Sequence, residues 1–519
     1  MATFRTRKRS RSPRPEVLQK PRGVIHPRVQ KVGPEHFGIV SVDCAKARSK
    51  WMLADFYGKV LIAPETVQHS QSQFAAAIAR IRQAMRDHDI RDLLIAVERT
   101  GRYHLPVKRA FGQAGFEVRI VHPFTSKQFR QPADPENKTD DTDLAAIHRA
   151  ATNGFALLEP EWDLQARELQ LLVRHRRDLV EKTSALQCQI REHLEAALPG
   201  YAALFDKLWE SDVALPLARH AGSAAALHQL GVTGMAKLLH QQDRRFQQRT
   251  LQRIALWACQ AAPADAAAVR HLAIAWALDD DRLQKERQIQ ALEREIASRL
   301  VRTPYILLLS LPGIHVVSAG DYAGEMGPIR FYPNARAITG RAGLYPSRYQ
   351  SDRVDHADGP LVRRSNRKLR AVLLGIADNL RKCNRYFRAL AERWEAANKD
   401  PRDTHVKIGM RFSRIGFQMV AGGQVFRHPC TRERSYILEK LLAFHREHDT
   451  TMAQTLADLE AAVVQVPASE HAAEAAPLAQ ELEKIRGRGR RGPQPIGDIL
   501  PLVLARLGVT SVQSQASGS

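Results

Sequence analysis

An α/β domain near the N-terminus, followed by a long and mainly helical remainder, is what the sequence predicts. Three observations lead there. Between Phe37 and Gly154, short apolar runs alternate with amphipathic stretches, as strands alternate with helices. Leu172, Leu179 and Leu186 recur at heptad spacing, as along a packed helix. Further on, a Pro-Gly turn at Pro312 separates two more helical patterns.

Each element has its own reason. Residues 1–35 are rich in Arg, Lys, Ser and Pro, lack periodicity, and read as a disordered basic arm. FGIVSVD, from Phe37, is an apolar run ending in an acid, as in a buried strand. KWMLADFYGKVLIAPETV places a Gly-Lys turn between two alternating stretches and reads as a hairpin. A helix is expected from Ser72 to Asp87, with Phe74, Ala77, Ile78 and Ile81 on one face. LLIAVE is a strand, HLPVKRAFGQAG a helix closed by Gly115, and FEVRIVHP a further strand. After a polar loop, DTDLAAIHRAATNG is a helix. Three strands, then helix, strand, helix, strand, helix, imply a mixed sheet.

The next part, 161–302, reads as a helical, coiled-coil-like spacer with an insert. One long helix is expected from Leu164 to Leu198, stopped by Pro199-Gly200, with Leu169 and Ile190 beside the heptad row and Arg176 and Thr183 interrupting it. An Ala-, Leu- and Gln-rich helical region fills 201–278, and a second long helix is expected from Asp279 to Leu300. Two such helices make an antiparallel arm, either a dimerisation element or a plain spacer. Residues 303–420 form a third module in which ILLLSLPGIHVVSAGDYAGEMG reads as helix, tight turn, helix, with a longer helix from Arg367. The PGI turn fits a helix-hairpin-helix that meets phosphate, and equally a plain corner. Residues 421–519 read as a helical extension with a flexible basic tail, IRGRGRRGPQP.

The chain has 519 residues and a net charge of +23, which points to a polyanionic partner, first of all nucleic acid. Five scattered cysteines argue against a disulfide scaffold or a zinc ribbon, and for a reducing, cytoplasmic setting. No apolar run reaches the roughly 18 residues that span a bilayer, so no membrane partner is expected. There is no GxxxxGK[ST] sequence, so ATP use is not expected, and no HExxH.

Four acids stand out. Asp43 and Glu98 each end an apolar strand, at the rim where α/β domains bind ligands. Asp140 and Asp143 lie three apart in NKTDDTDLAAI and share a helix face, with Asp141 pointing elsewhere. Singly, each has an ordinary reading: a turn residue, a helix N-cap at Asp140, or an ion pair of Glu98 with Arg99 or Arg102. Converging, they repel unless cations sit between them. Mg²⁺ takes oxygen ligands, and a pair of such ions suits phosphoryl transfer.

GIVSVDCAK, IAVERTGRYHLPV, the strand ending VHP, and NKTDDTDLAAI together resemble the signatures of a RuvC-like, RNase H-fold nuclease domain. The variant is similar to the DEDD transposases of the insertion-sequence-110 family. LLLSLPGIHVVSAGDYAGEMGPIRFYPNARAITGRAGLYPSRYQSDRV and RRSNRKLRAVLLGIA resemble that family's second, serine-bearing transposase domain. The resemblance implies a RuvC-like domain over 36–160 and makes Asp43, Glu98, Asp140 and Asp143 the catalytic, metal-binding tetrad. It implies a serine nucleophile after the AGL-x-P stretch, which falls on Ser351, with Ser347 as the fallback. The family's usual glycine after that serine is Asp352 here. Arg348, Arg353, Arg363, Arg364 and Arg367 surround the position and suit phosphate. The resemblance further implies recombination of donor and target DNA, a non-coding guide (bridge) RNA, a homodimer or homotetramer, and a place at the bacterial nucleoid. A junction-resolvase-like endonuclease needs the acids without the serine, and an inactive copy needs only the basic surface.

Overall fold

The computed structural model describes residues 21–133, 137–351, 354–356, 359–426 and 433–466. It divides into two compact units that meet in sequence between Glu161 and Trp162.

The first unit is built on a five-stranded mixed sheet, in the order β3-β2-β1-β4-β5. Its strands are β1 (Phe37–Cys44), β2 (Arg48–Asp55), β3 (Val60–Gln68), β4 (Asp92–Glu98) and β5 (Glu117–Val121). β2 pairs antiparallel with β1 and β3, whereas β4 lies parallel to β1 and β5. This is an RNase H-like arrangement. The helices are α1 (His26–Val32), α2 (Gln71–Asp87), α3 (His104–Gln113), α4 (Pro123–Arg130) and α5 (Asp140–Thr152). β1 is apolar on both faces because both are covered. Val40 and Val42 pack with Phe74 and Ile81 of α2 and Phe111 of α3. Phe37 and Ile39 pack with Val29 of α1 and Ile147 and Ala150 of α5.

Two expectations for this unit need correction. The basic arm was expected to run disordered to residue 35, but α1 lies within it. Ile25 and Val29 are buried, and Arg28 binds Asp92 at 2.6 Å and Glu117 at 2.6 Å. Two apolar residues and one arginine suffice to dock a stretch whose average composition looks unstructured; residues 1–20 lie outside the described residues. The polar loop expected after β5 contains α4. Pro123 stands at its start, where a missing N–H is harmless, and the His122 ring accepts from the Phe124 amide at 3.2 Å.

The second unit is mainly helical. α6 (Leu164–Ala197) runs antiparallel to α10 (Ala268–Leu300). Direction follows from the pairs along them: Glu168 with Arg299, Arg176 with Glu293 at 2.6 Å, and His193 with His271 at 2.9 Å. Arg176 interrupts the apolar row without being orphaned, since Asp321 lies 3.5 Å away as well. The second long helix starts at Ala268 rather than Asp279, because Leu272 and Ala275 already bury against the insert. That insert folds as α7 (Ala214–Ala221), α8 (Ala224–Gln241, kinked at Gly231) and α9 (Gln248–Gln260). Together with Leu186–Leu198 they form one core.

A separate core joins the start of α6 and the end of α10 to the rest. It holds α11 (Val316–Met326), α12 (Ala335–Ala342), α13 (Arg367–Cys383), α14 (Arg385–Glu395), α15 (Pro401–Gly422), α16 (Glu433–Glu447) and α17 (Met452–Gln465). The hairpin β6 (Tyr349–Ser351) and β7 (Val354–His356) lies between α12 and α13. Pro304–Ser310 is a 3₁₀ segment, not the α-helix expected there. The PGI turn after it is a packed corner: a Cβ at Gly313 would lie 3.1 Å from the Asn379 carbonyl. Lys440 of α16 donates to the Leu309, Leu311 and Ile314 carbonyls, each at 2.7 Å. The tail motif IRGRGRRGPQP lies outside the described residues. Among the described residues no helix is long and apolar enough to cross a membrane, and Cys44, Cys188, Cys259 and Cys383 are free.

Ile147 is fully buried where α5 meets β1. Ile147→Ala should lower the stability of the first unit by about 2–5 kcal/mol in urea unfolding, the range for a truncated core aliphatic.

Candidate active site

Asp43 and Glu98 are brought together by strand register. β1 and β4 are parallel, and their last matched pair is Val42 with Val97, one step before the two acids. Side chains alternate across a strand. Phe37 and Ile39 face α5, so Asp43 does too; Leu94 and Ala96 face α5, so Glu98 does as well. Both carboxylates therefore emerge on one face at the carboxyl edge of the sheet.

α5 brings the other pair to that edge. Thr139 caps it, its hydroxyl accepting from the Thr142 amide at 3.2 Å while the Thr142 hydroxyl accepts from the Thr139 amide at 3.0 Å. Asp140 is thus the first helical residue and not the cap. Three acids in the first turn suit the positive end of the helix. Asp143 stands one turn before Ile147 on the sheet-facing side and is buried, whereas Asp140 is exposed at the rim. Asp141 binds Lys50 at 2.7 Å. Lys50 lies opposite Asp43 across the β1–β2 pair.

In the second unit Ser351 is the last residue of β6, opposite Val354 of β7. The base of this hairpin is clamped. Arg370 of α13 donates to the Ala342 carbonyl at 2.8 Å, to the Ser365 hydroxyl at 2.6 Å, and to the Val362 carbonyl. Gly343, at φ +65°, leaves room for that guanidinium, which a Cβ would meet at 2.4 Å. Ser347 sits lower in the hairpin, its amide on the Pro360 carbonyl at 2.9 Å. Arg348, Arg363, Arg364 and Arg367 are exposed, while Arg353 lies outside the described residues.

A family model described as a transposase, for the DEDD transposases of IS110 elements, matches residues 40–199. A second, described as the transposase IS116/IS110/IS902 family, matches residues 305–392. The chain belongs to the IS110 transposase family. No curated protein matches it. The first match of this IS110 transposase contains the four acids, and the second contains Ser351 and the arginines around it. As a transposase it is a DNA-acting enzyme.

The electrostatics of the IS110 transposase show that the acids face one another. Burial, and after it the charges of Glu98, Asp143 and Asp140, push the Asp43 carboxyl up to about 6. Sequence reasoning missed the groups that answer these charges. Ser126 of α4 donates to Glu98, whose other oxygen lies 3.5 Å from the Thr100 hydroxyl. Arg130, one turn further along α4, pairs with Asp143. Glu98 therefore leans on hydroxyls, not on Arg99 or Arg102. The spacing of Ser126 and Arg130 behind Pro123 was the available signal. Among the described residues, no three His, Cys, Asp or Glu side chains form a group able to hold a metal ion as they stand.

A raised carboxyl pKa means that the folded state disfavours the ionised group. Its stabilising contribution is complete below the usual aspartate value of 3.8 and is lost as pH rises through about 6. In chelator, thermal stability should fall between pH 4 and pH 6.5. Asp43→Asn should abolish that slope and gain on the order of 1–3 kcal/mol at pH 7, allowing for solvent screening. Melting curves of both proteins at pH 4.5, 5.5 and 7 check this.

Proposed function

We propose that this transposase cuts and rejoins the DNA of its own mobile element with two sets of residues, the carboxylates Asp43, Glu98, Asp140 and Asp143 and the nucleophile Ser351. The observation that supports this most is the convergence of the acids on one edge: Asp43 and Glu98 end adjacent parallel strands in register, and the first turn of α5 adds Asp140 and Asp143, whose charges act on Asp43 after burial and Glu98. Such crowding is disadvantageous in a purely structural rim and useful where cations are to be bound.

The donor set is hard oxygen throughout, which suits Mg²⁺, and the repulsion among the acids is what divalent charge would relieve. Asp43, Glu98, Asp140 and Asp143 would hold it, one ion or two. When bound, the metal supplies Lewis acidity to the scissile phosphate. The Ser351 hydroxyl attacks phosphorus, losing its proton to solvent or a neighbouring base. A serine–phosphate bond forms as the bond to one deoxyribose oxygen breaks. A strand-end hydroxyl then attacks the phosphoserine, re-forms a phosphodiester and returns the serine, so no external energy source is needed. Arg348, Arg353, Arg363, Arg364 and Arg367 contact phosphates.

On this reading 36–160 is the nuclease domain, 161–302 a coiled-coil spacer with its insert, 303–420 the serine-bearing domain, and 421–519 an extension with a basic tail. A guide RNA selects the sites by base pairing, and a homodimer or homotetramer holds donor and target together at the nucleoid. The net charge of +23 supports a partner with many phosphates.

The test is excision from a plasmid carrying the gene's native flanks, with the rejoined junction sequenced for wild type, Asp43→Ala and Ser351→Ala. Junctions are expected in wild type alone, with at least a hundredfold loss in either variant. Nicks that persist in Ser351→Ala but vanish in Asp43→Ala would replace this reading with a resolvase-like endonuclease. Absence of product from all three would leave an inactive nucleic-acid binder.

A further inference from the structure

Among the described residues, Asp143 is the acid of the four that forms an ion pair with a cation of the protein's own. Its partner Arg130 is nearly as enclosed as Asp143 itself, with side-chain exposures of 13% and 9%. An ion pair so placed is little screened by salt and is not a passing surface contact. We propose that Arg130 is the built-in counter-ion of the metal-free site. It holds Asp143 until a divalent cation displaces it, and the cation gains this ligand only by breaking the pair. The proposal rests on the reading of the four acids as metal donors.

Three features support an exchange over a plain structural bridge. Arg130 is delivered by α4, the same short helix whose Ser126 donates to Glu98, so one element tends two of the four acids. The guanidinium keeps its charge at any working pH, so it can leave only by being outcompeted. It brings one positive charge to an edge where four acids converge, and pairs there with Asp143. A divalent ion supplies more charge at a spot where a monovalent side chain already sits. The exchange keeps metal affinity in the free protein below what the bare acids would give.

The experiment is a Mn²⁺ titration of the full-length, chelator-stripped protein by calorimetry, on wild type, Arg130→Gln, Arg130→Lys and Asp43→Asn. Arg130→Gln should bind Mn²⁺ roughly tenfold more tightly, while its melting temperature in chelator falls because Asp143 is left buried and unpaired. Arg130→Lys should stay close to wild type. Unchanged or weaker binding in Arg130→Gln overturns the proposal, since an arginine that merely positions Asp143 as a ligand would be missed by the metal. Should Arg130→Gln fail to fold, hydrogen exchange on wild type decides. Mn²⁺ should speed exchange of the amides of residues 126–131 as their tether to Asp143 is released, and no change there sinks the idea. Separately, Asp43→Asn that binds Mn²⁺ as well as wild type would overturn the metal-donor reading itself and leave the Arg130 exchange without a ligand to exchange for.

Discussion

Carboxylates at the ends of adjacent parallel strands cannot avoid each other. Neighbouring strands run roughly 4.8 Å apart, and two negative charges at about 5 Å repel by about 3 kcal/mol at an effective dielectric of about 20. Asp43 and Glu98 meet this condition by register alone, and α5 adds Asp143 and Asp140 to the same edge. Everything else in the first unit has to tolerate that concentration of charge. The doubly covered sheet does so by mass of packing. β1 and β4 are buried along nearly their whole length, so the strand ends cannot splay to relieve the repulsion.

The local offsets differ in size, and the comparison decides which matters. The positive end of α5 contributes on the order of 0.3–1 kcal/mol to an acid in its first turn. The Ser126 bond to Glu98 adds a charge-assisted contact of about 1.5–3 kcal/mol at best. Neither cancels several mutual repulsions. Only a full positive charge does, and in the protein itself Arg130 is the one applied to Asp143. Lys50, although opposite Asp43 in register, spends its charge on Asp141 at the rim. Burial first, and then the charges of the other three acids, raise the Asp43 carboxyl.

The sheet and its acids were legible because the signals were local. FGIVSVD and LLIAVE are largely apolar runs with an acid at the end, and they became strands ending at Cys44, one residue past Asp43, and at Glu98. The helix starting at Asp140 was legible in DTDLAAIHRAATNG, although its cap is Thr139 and not Asp140. What was missed depended on tertiary contacts. PFTSKQFR has too few apolar residues to suggest a helix, yet Pro123 and the His122 cap start one and Glu98 and Asp143 hold its polar side. The docking of α1 rests on Ile25, Val29 and Arg28, whose partners Asp92 and Glu117 lie far along the chain. The early start of α10 is likewise fixed by an insert core that no local pattern records.

The second unit repeats the theme of an anion fixed by arginine, here for position and not for chemistry. Glu325 of α11 has a fully buried side chain, and Arg174 of α6 meets it with two bonds, at 2.9 and 3.0 Å. Removing Arg174 would strand the buried Glu325 charge, so the pair ties α6 to α11. Asn366 donates to the same carboxylate at 3.2 Å, while its own oxygen caps α13 through the Lys368 and Leu369 amides. α13 in turn carries Arg370, which grips the chain on both sides of the hairpin that bears Ser351. A buried acid on one helix thus fixes, through a cap and a clamp, the base of the segment that presents the serine. In the proposed role of Ser351 as nucleophile such support matters, because three residues on each strand supply too few ladder bonds to hold a position by themselves.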